Sequence, residues 1–413
     1  MKIDLMQPSL RTRGGHPYNE TLGWVEVCRK RGIDLRVFVQ DKVLPGIAAE
    51  TGARGIFGVT EADIAAYCKP ETYATRDPHC QPLLEFMVQS RAITRACREA
   101  WTEPKPDIVV FPWAFPTIMN GVAEWLTELP ARERPGFVLN FVRPEEGWYL
   151  DAKRKEGKGN FTLFRFAAKR MNALLPPEKL KLTAADRRLC KLISHAAETE
   201  CGLAPLPVSG PPDEELARLK QHARRGIRIG LLGQNRGEKG GELYAKIVEA
   251  VCMAHADVSF FIQVMRAEDA DALSAALRSL PVRAAIHAGQ LSRQDYFTRM
   301  VNSDLLLMPY TGSNYAMQPS GVFAEGIACG VPGVVPANTW MSDRLNEGSG
   351  AGEIFAQTNP REITAAVSRA IGRLPELRAK AAASMGAWRK QHSVEAYVDY
   401  AVNQFPALRS SPK

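Results

Sequence analysis

The sequence has no long hydrophobic run. No stretch of its 413 residues approaches the ~18 consecutive apolar residues that a membrane-spanning helix needs. The first residues, Met1 to Pro8, contain no apolar core of a secretory signal and meet a proline early. We therefore predict a cytoplasmic protein.

The sequence also has no closely spaced cysteines. Its eight cysteines are scattered, and no two have the C-x-x-C spacing that is typical of zinc sites. The histidines are equally dispersed, with no two at ligand spacing on one predicted element. Asp269-Ala-Asp271 matches the D-x-D metal motif, but it lies with Glu268 at a predicted helix start, where acids complement the helix dipole. We expect reduced thiols, no metal and no cofactor.

The composition is that of an ordinary globular protein. Hydrophobic residues make up 45% and charged residues 24%, which excludes a collagen-like or mostly disordered chain. At ~150 residues per domain, the length predicts two or three domains. Residues 151 to 191 hold twelve Lys/Arg and four Asp/Glu. The net charge of this segment, +8, equals that of the whole chain. The charge is thus a basic patch on an otherwise neutral chain.

The pattern of strands and helices occurs twice. A short apolar run at Ile3 to Met6 is followed by a glycine loop, a helical stretch and a second strand, and the same order begins again at Arg228 to Leu232. Between the two lies Ala204 to Pro212, which is rich in proline and glycine. Further apolar runs predict strands at Asp107 to Phe111, Phe137 to Val142, Val258 to Val264, Arg283 to His287, Leu305 to Met308 and Val334 to Val335, and helices are predicted near Pro360 to Gly372 and Leu377 to Arg389. We predict two α/β domains, residues 1–205 and 227–392, joined by a linker at 206–226 and followed by a C-terminal helical segment at 393–413.

A glycine-rich loop, Gly233 to Gly241, follows the first strand of the second domain. Glycines allow a backbone to approach a ligand closely, and the N-terminus of the following helix favours an anion. Arg236 and Lys239 add two cations to the same loop. The spacing is not that of a Walker motif, because no Gly-Lys-Ser/Thr occurs. The loop either binds an anion or is a strand–helix turn with exposed charges.

A second motif runs from Met308 to Pro332. Ser320 has the position of a helix N-cap, and the predicted helix, roughly Gly321 to Cys329, is apolar except for Glu325. A carboxylate in so apolar a helix is costly unless it has a hydrogen-bonding partner. Sugar hydroxyls are such partners. Gly330 and Pro332 then end the helix.

These pieces together resemble the nucleotide-binding domain of GT-B glycosyltransferases, in particular the large retaining family called glycosyltransferase family four or group 1. The resemblance covers about 150 residues in the order of the family. Its motifs are Gly-x-x-x-x-Glu-Lys-Gly at 233–240, His287-Ala-Gly-Gln-Leu-Ser, Ser303-Asp304 before an apolar strand, and Glu325-Gly-Ile-Ala-Cys-Gly-Val-Pro. It implies two Rossmann-like domains whose parallel sheets face each other across a cleft, with the last helix crossing back to the first domain.

The resemblance also implies which residues bind a nucleotide-diphosphate sugar. Lys239 would bind the diphosphate, the amides of Ser320 to Val322 would face it, and Glu325 would hold ribose hydroxyls. The candidate catalytic residues are His16, Arg236 and Lys239. The candidate nucleotide- and donor-binding residues are Gly14, Gly15, Gly233, Gln234, Arg236, Lys239, Tyr310, Gln318, Ser320, Gly321, Val322 and Glu325.

Three positions depart from the family pattern. Gln234 stands where the family has an arginine, and Arg236 is the nearest substitute. Met317 stands where the family has the first glutamate of an E-x7-E pair, with Gln318 beside it. Asn140 stands nearest to the place of the usual histidine of the first domain. These departures affect donor-sugar contacts and turnover more than nucleotide binding.

Two features of the first half have alternative interpretations. In the loop Gly14-Gly15-His16, the histidine either steadies a phosphate or sugar oxygen or is an exposed loop residue. The helix predicted at Phe161 to Leu175 has an apolar face and basic residues elsewhere. It either packs on its own domain or brings residues 153–191 to an anionic membrane. No helix-turn-helix or aromatic-basic RNA module accompanies the charge, so nucleic acid is not expected as a partner.

The predicted function is the transfer of a glycosyl group from a nucleotide sugar, with UDP or GDP as the nucleotide, to a glycan, a lipid-linked acceptor or a small molecule. Retention of configuration and independence from metal are expected. Two alternatives stay open at this point. One is a sugar-nucleotide 2-epimerase of the same architecture, and the other is a degenerate, non-catalytic glycosyltransferase-like partner subunit.

Overall fold

A computed structural model describes residues 1–13, 15–75, 81–101, 105–144, 161–208, 210–220, 226–311 and 313–406. The chain divides into two compact units. The N-terminal unit consists of Met1–Pro207 together with Val394–Lys413, and the C-terminal unit is Val208–Ser393. Each unit is an α/β structure around its own parallel sheet.

The N-terminal unit contains a seven-stranded sheet in the order β3-β2-β1-β4-β5-β6-β7, with every strand pair parallel. The strand order reverses direction between β1 and β4. The strands are β1 Lys2–Gln7, β2 Asp34–Gln40, β3 Arg54–Phe57, β4 Ile108–Phe111, β5 Gly136–Phe141, β6 Leu180–Ala184 and β7 Cys201–Leu203. Every residue of β4 and β5 is buried, as expected for central strands of a sheet that is covered on both faces.

The helices of this unit connect its strands, except for the last one. They are α1 His16–Lys30, α2 Pro45–Thr51, α3 Glu61–Ala65, α4 Pro70–Thr75, α5 Gln81–Ala100, α6 Pro116–Leu126, α7 Thr162–Leu174, α8 Arg187–Ala197 and α17 Val394–Asn403. The last helix packs on α1 in the unit's core, where the rings of Trp24 and Tyr397 meet edge to face at 5.9 Å. Gly23 permits this approach, because a Cβ there would lie 2.7 Å from Val394 Cγ2.

The C-terminal unit contains a six-stranded parallel sheet in the order β10-β9-β8-β11-β12-β13. Here the direction reverses between β8 and β11. The strands are β8 Ile227–Leu231, β9 Val258–Val264, β10 Ala284–Ala288, β11 Leu305–Leu307, β12 Gly333–Pro336 and β13 Gly352–Phe355. The helices are α9 Asp213–Leu219, α10 Tyr244–Ala254, α11 Ala267–Leu277, α12 Arg293–Val301, α13 Gly321–Ala328, α14 Trp340–Asn346, α15 Pro360–Gly372 and α16 Leu374–Gln391.

The structure confirms the α/β organisation expected from the sequence. The strand at Val258 to Val264 and the helix at Pro360 to Gly372 have the predicted bounds. The predictions did not include β3, β6, β7 and β13, each of which has at most five residues. The range predicted as a linker, 206–226, contains the helix α9, which begins with three acidic residues as a helix N-terminus favours.

Within the residues that the structure describes, no helix is both long and apolar enough to cross a membrane.

Candidate nucleotide-binding site

The candidate site lies at the point of the C-terminal sheet where the strand order reverses. The loop after β8 and the loop after β11 both leave the carboxyl ends of adjacent parallel strands. In open α/β sheets, ligands bind in the crevice outside such a reversal. The topology therefore brings together the two motifs that the sequence analysis singled out, although Gly241 and Met308, where one ends and the other begins, lie far apart in the chain.

The glycine-rich loop is held by side chains from neighbouring strands and helices. Gly233 has a φ of 89°, in the left-handed region that favours glycine, and its amide donates to Gln263 Oε1 at 2.9 Å. Gln263 in turn donates to the carbonyl of Gly289 at 3.1 Å. Asn235 Oδ1 accepts from the amide of Met265 at 2.9 Å. These contacts fix the loop conformation without any ligand.

Gly240 joins the glycine-rich loop to the end of β11. Its φ is 72°, and a Cβ at this position would lie 2.0 Å from the carbonyl oxygen of Pro309. Thr311 adds two hydrogen bonds, from its amide to the carbonyl of Glu238 at 3.0 Å and from its hydroxyl to the carbonyl of Gly237 at 3.1 Å. The backbones of the two loops are thus in direct contact, and any side chain at position 240 would prevent this contact.

Lys239 lies half-buried at the junction of these loops. Its Nζ is 5.4 Å from the centroid of the Tyr310 ring, and it would be 3.4 Å from a Cβ at Gly233. Burial lowers the pKa of Lys239, while Tyr315 acts in the opposite direction. Among the described residues it has no salt bridge to a carboxylate. Its ammonium therefore carries a desolvation cost that an anionic ligand would offset.

The other polar residues of the loop are more exposed. Arg236 is paired with Glu238, with Nε 3.0 Å from Oε1, so its charge is partly compensated within the loop. Gln234, which stands in place of the family's arginine, is exposed and has no recorded side-chain hydrogen bond within the described residues. The structure therefore places Arg236 in the loop but gives it a partner of its own.

Helix α13 begins beside the same loop. Ser320 caps it, with Oγ accepting from the amide of Phe323 at 3.3 Å and donating to the Tyr310 hydroxyl at 3.4 Å. A Cβ at Gly233 would lie 3.0 Å from Val322 Cγ2, so the first turn of the helix contacts the glycine-rich loop directly. The amides of the first turn have no intrahelical acceptor. With Lys239 they form an arrangement suited to an anion.

Glu325 is half-buried one turn further along α13. The hydroxyl of Tyr296, on α12, donates to Glu325 Oε2 at 2.6 Å. Burial and the neighbouring carboxylate raise the pKa of Tyr296 well above its usual value. Tyr296 therefore acts as a hydrogen-bond donor that holds the carboxylate in place. Sequence reasoning did not find it, because no local spacing links residues 296 and 325.

Two tyrosines line the loop between β11 and α13. The rings of Tyr310 and Tyr315 lie 4.4 Å apart at 43°, and both are almost fully buried. Burial raises the pKa of each to about 12. Both hydroxyls therefore stay protonated at physiological pH. Gln318 and Gly321, further candidate residues, are half-buried near the start of α13.

The candidate residues of the N-terminal unit are Gly14, Gly15 and His16, together with Asn140 near the place of the family's histidine. Gly15, with a φ of 85°, precedes α1, and His16 is the half-buried first residue of that helix. Gly14 lies outside the described residues. Asn140, nearest to the place of the family's histidine, donates to the carbonyl of Pro112 at 2.9 Å and accepts from the Thr183 hydroxyl at 3.0 Å. Its side chain ties strands together.

A buried carboxyl group lies near the carboxyl ends of β1 and β4 in the N-terminal unit, beside Gln7 and Trp113. Glu20, on α1, is 3% exposed, and burial raises its pKa to about 8 although the Trp113 and Gln7 side chains oppose the shift. One of its oxygens has no hydrogen-bond partner within the described residues. Such a group is protonated at neutral pH.

The first aspartate of the D-x-D motif is engaged in internal contacts, and the second, Asp271, is exposed. Asp269, in the first turn of α11, pairs with Arg266 and accepts from Asn235 Nδ2 at 3.0 Å, so it helps to hold the glycine-rich loop. Arg266 and Asn235 lower its pKa. Over the part of the chain that the structure describes, no group of three His, Cys, Asp or Glu residues is arranged to hold a metal ion.

The basic segment is described only from residue 161 onward. The apolar face predicted for its helix is buried, and it comprises Phe161, Phe164, Ala168, Met171 and Leu175. This face forms part of the core of the N-terminal unit, since α7 packs on α6 and α8. The remainder of the predicted membrane-contact segment, residues 153–160, lies outside the described residues.

The comparisons with known proteins show the fold. WaaG, described as a glycosyltransferase involved in lipopolysaccharide biosynthesis, superposes with a TM-score of 0.61 at 14% identity, over 97% of this chain and 98% of its own. Sucrose-phosphate synthase from Thermosynechococcus elongatus gives 0.65 at 12%, over 100% of both chains. Anabaena HepE, crystallised with UDP and glucose, gives 0.62 at 13%, over 100% of both.

The chain therefore has the GT-B fold, with two Rossmann-like units. No protein-family model matches the sequence, and no curated protein matches it by sequence. The similarity to solved structures, at these identities, concerns the fold alone.

Proposed function

We propose that the protein is a glycosyltransferase that binds a nucleotide-diphosphate sugar in its C-terminal unit and transfers the sugar to an acceptor hydroxyl. The observation that carries the proposal is the meeting of Lys239, the N-terminus of α13 and the Tyr296-held Glu325 around the strand reversal. Neighbours of the same fold support it, because HepE was crystallised with UDP and with UDP-glucose.

The proposed binding mode assigns one ligand group to each feature. The diphosphate contacts the Lys239 ammonium and the amides of Gly321 and Val322. The ribose hydroxyls donate to Glu325. The base lies beside Gly233 and Gln234 of the glycine-rich loop, at one side of this arrangement. UDP and GDP are both candidates for the nucleotide.

The proposed chemistry uses these charges to stabilise the leaving group. Negative charge grows on the diphosphate as the glycosidic bond breaks, and preorganised cations and amides lower the energy of that state. Lys239 and the helix end supply this positive potential from protein groups, so we propose a metal-independent reaction. We further propose retention of configuration, with a phosphate oxygen of the departing diphosphate taking the proton of the acceptor hydroxyl.

The acceptor side of the proposal rests on the N-terminal unit. His16 is kept as a candidate catalytic residue because it begins the helix that follows the glycine loop of that unit. A glycan, a lipid-linked saccharide and a small molecule remain the candidate acceptors. Because the apolar face of α7 is buried in the unit, any membrane contact of this segment would depend on its basic residues and on residues 153–160.

The test combines binding and turnover. Purified protein is titrated with UDP and GDP by calorimetry and then incubated with UDP- or GDP-sugars and a panel of acceptors, with products read by mass spectrometry. Lys239→Ala should weaken nucleoside-diphosphate binding tenfold or more, because a charge-assisted hydrogen bond contributes ~1.5–3 kcal/mol. Lys246→Ala is the matched control, since Lys246 is an exposed residue of α10. If Lys239→Ala binds like wild type, the assignment of the loop is wrong.

A non-catalytic, nucleotide-binding partner subunit is the second candidate. The pairing of Arg236 with Glu238 favours it. The positions Gln234, Met317 and Asn140 also favour it, because they lack the arginine, glutamate and histidine of the family pattern. A chain that binds the nucleotide but neither hydrolyses nor transfers any sugar would support this candidate. A chain that interconverts nucleotide sugars without forming an acceptor conjugate would instead be the epimerase.

A further inference from the structure

Two cysteine side chains meet in the N-terminal unit, away from the residues proposed to bind the nucleotide. Cys190 lies on α8, and Cys201 begins β7, the strand at one edge of the sheet. Both are free thiols, and they are buried, with 8% and 7% of their surface exposed. The Cys201 thiol donates a hydrogen bond to Cys190 Sγ, so the two sulfur atoms are neighbours.

The backbone and a serine explain why the two thiols meet. Glu198 ends α8 in the left-handed conformation, with a φ of 54°, and the chain returns at once along β7. Ser194, one turn after Cys190 on the same helix face, accepts from the amide of Cys201 at 2.9 Å. Cys190 Sγ lies 3.4 Å from the carbonyl oxygen of Gly202. These two contacts align one face of α8 with β7 and bring Cys190 to Cys201.

The surroundings make the two thiols chemically unequal. The hydrogen bond from Cys201 lowers the pKa of Cys190, although burial and the Asp186 carboxylate oppose the shift. The same hydrogen bond, together with burial, raises the pKa of Cys201. The thiolate is the form of cysteine that attacks an oxidant. Cys190 is therefore the thiol that reacts first, and Cys201 is in place to attack the product.

A tyrosine of the last helix covers this pair. A side chain at Gly202 would collide with the hydroxyl of Tyr400, so Tyr400 packs directly on β7. Burial raises the pKa of Tyr400 to about 12, and Cys201 and Cys190 contribute to the rise. Its hydroxyl is therefore protonated and close to both thiols. An oxidant that reaches sulfur atoms so enclosed must be small.

We propose that Cys190 and Cys201 are a redox-sensitive site, at which a peroxide converts the two thiols into a disulfide that links α8 to β7. The Cys190 sulfur attacks one oxygen of hydrogen peroxide and the O–O bond breaks. The thiol proton joins the departing hydroxide as water, and Cys190 becomes a sulfenic acid.

The second step forms the disulfide. The Cys201 sulfur attacks the Cys190 sulfur, the S–S bond forms and the S–O bond breaks. The proton of Cys201 leaves with the hydroxide as a second molecule of water. Two thiols are thus oxidised and one peroxide is reduced to two molecules of water. A thiol reductant reverses the change by thiol–disulfide exchange. The proposal is independent of the nucleotide site.

The test locates the disulfide in the full-length, folded protein. The protein is treated with limiting hydrogen peroxide, the remaining thiols are blocked with N-ethylmaleimide, and trypsin digestion follows without reductant. Trypsin cleaves after Arg188, Lys191 and Arg218, so the two cysteines fall in separate peptides, 189–191 and 192–218. Mass spectrometry should find these two peptides joined as the main disulfide product, and dithiothreitol should separate them.

Cys252 provides a matched control. It is also 8% exposed, but burial raises its pKa. Cys252→Ser should leave the linked peptides unchanged, whereas Cys190→Ser should abolish them. In Cys201→Ser the sulfenic acid of Cys190 has no thiol to react with, so dimedone should label Cys190 about tenfold or more faster than Cys252.

Two results would overturn the proposal. One is the absence of the linked peptides after the folded wild-type protein has been oxidised. The other is oxidation of Cys252 at the same rate as Cys190. Both are read from the wild-type protein as well, so a serine variant that fails to fold does not prevent the decision.

Discussion

The hydrogen bond from Tyr296 to Glu325 makes the most specific prediction about the candidate nucleotide site. Tyr296→Phe removes one hydroxyl and leaves the ring in place. The donor and acceptor oxygens are 2.6 Å apart, which is typical of a hydrogen bond to a charged group, and such bonds contribute ~1.5–3 kcal/mol. Without that donor, the carboxylate loses a contact that fixes its orientation toward the proposed ribose ligand.

The expected result is a loss of selectivity for ribose hydroxyls. UDP should bind the variant roughly tenfold more weakly, since part of the hydrogen-bond energy is spent on orienting the carboxylate for its ligand. The same protein should bind 2′,3′-dideoxyuridine 5′-diphosphate as wild type does, because that ligand has no hydroxyls to donate to Glu325. Calorimetric titration of both ligands against both proteins measures the effect, and GDP and its dideoxy analogue replace them if GDP is the nucleotide bound.

A double-mutant cycle with Glu325→Gln completes the test. If Tyr296 acts through Glu325, the two substitutions should be strongly non-additive for UDP and have no coupling for the dideoxy ligand. An equal loss of affinity for both ligands, or a lower melting temperature with unchanged UDP binding, would refute the positioning role. In that case Tyr296 would contribute only to the packing of α12.

Three further predictions follow from other features. Glu325→Gln should keep the fold and weaken binding of ribose-containing ligands, whereas a purely structural carboxylate would lower the melting temperature without a ligand effect. Transfer activity should survive an excess of chelator. Loss of activity on chelation and its restoration by magnesium or manganese would contradict a metal-independent reaction and would make Asp269 and Asp271 candidate metal ligands. For Glu20 the folded-state pKa of about 8 exceeds the usual 4.5, so between these two pH values the folded state binds more protons than the unfolded state. The stability that this group contributes is full below pH 4.5 and is lost as the pH rises through 8, by at most roughly 5 kcal/mol. Glu20→Gln should flatten that part of a denaturation-versus-pH curve, and an unchanged slope would show that the carboxyl is not protonated in the folded protein.

Much of the fold could be predicted because long apolar strands and helix caps are local signals. The strand at Val258 to Val264 and the helix at Gly321 to Cys329 needed only periodicity, an N-cap serine and a closing glycine. The strands β6 and β7 were missed for the opposite reason. They are only five and three residues long, and each is defined by its partner strand. β6 pairs with β5, which precedes it by about 40 residues, and β7 pairs only with β6 among the described strands, at the edge of the sheet.

In the candidate site, too, only residues that are marked by local motifs could be predicted. Lys239, Ser320 and Glu325 could be named as candidates because they stand in motifs that resemble those of a known family. Tyr296 and Gln263 were not found, because each acts on a residue about 30 positions away through a contact that only the folded sheet creates. Arg236 was predicted as a substitute cation, but its partner Glu238 could not be weighed without the geometry of the turn.

The burial of Lys239 has a consequence for chemical labelling. Because burial lowers the pKa of this amine, a larger fraction of it is neutral and nucleophilic near pH 8 than of an amine with the ordinary pKa of a lysine. Small acylating reagents should therefore modify Lys239 early under limiting conditions. A diphosphate ligand would both cover the amine and favour its protonated form, so protection of this one lysine, read by peptide mass spectrometry, would report occupancy of the site without any knowledge of the acceptor.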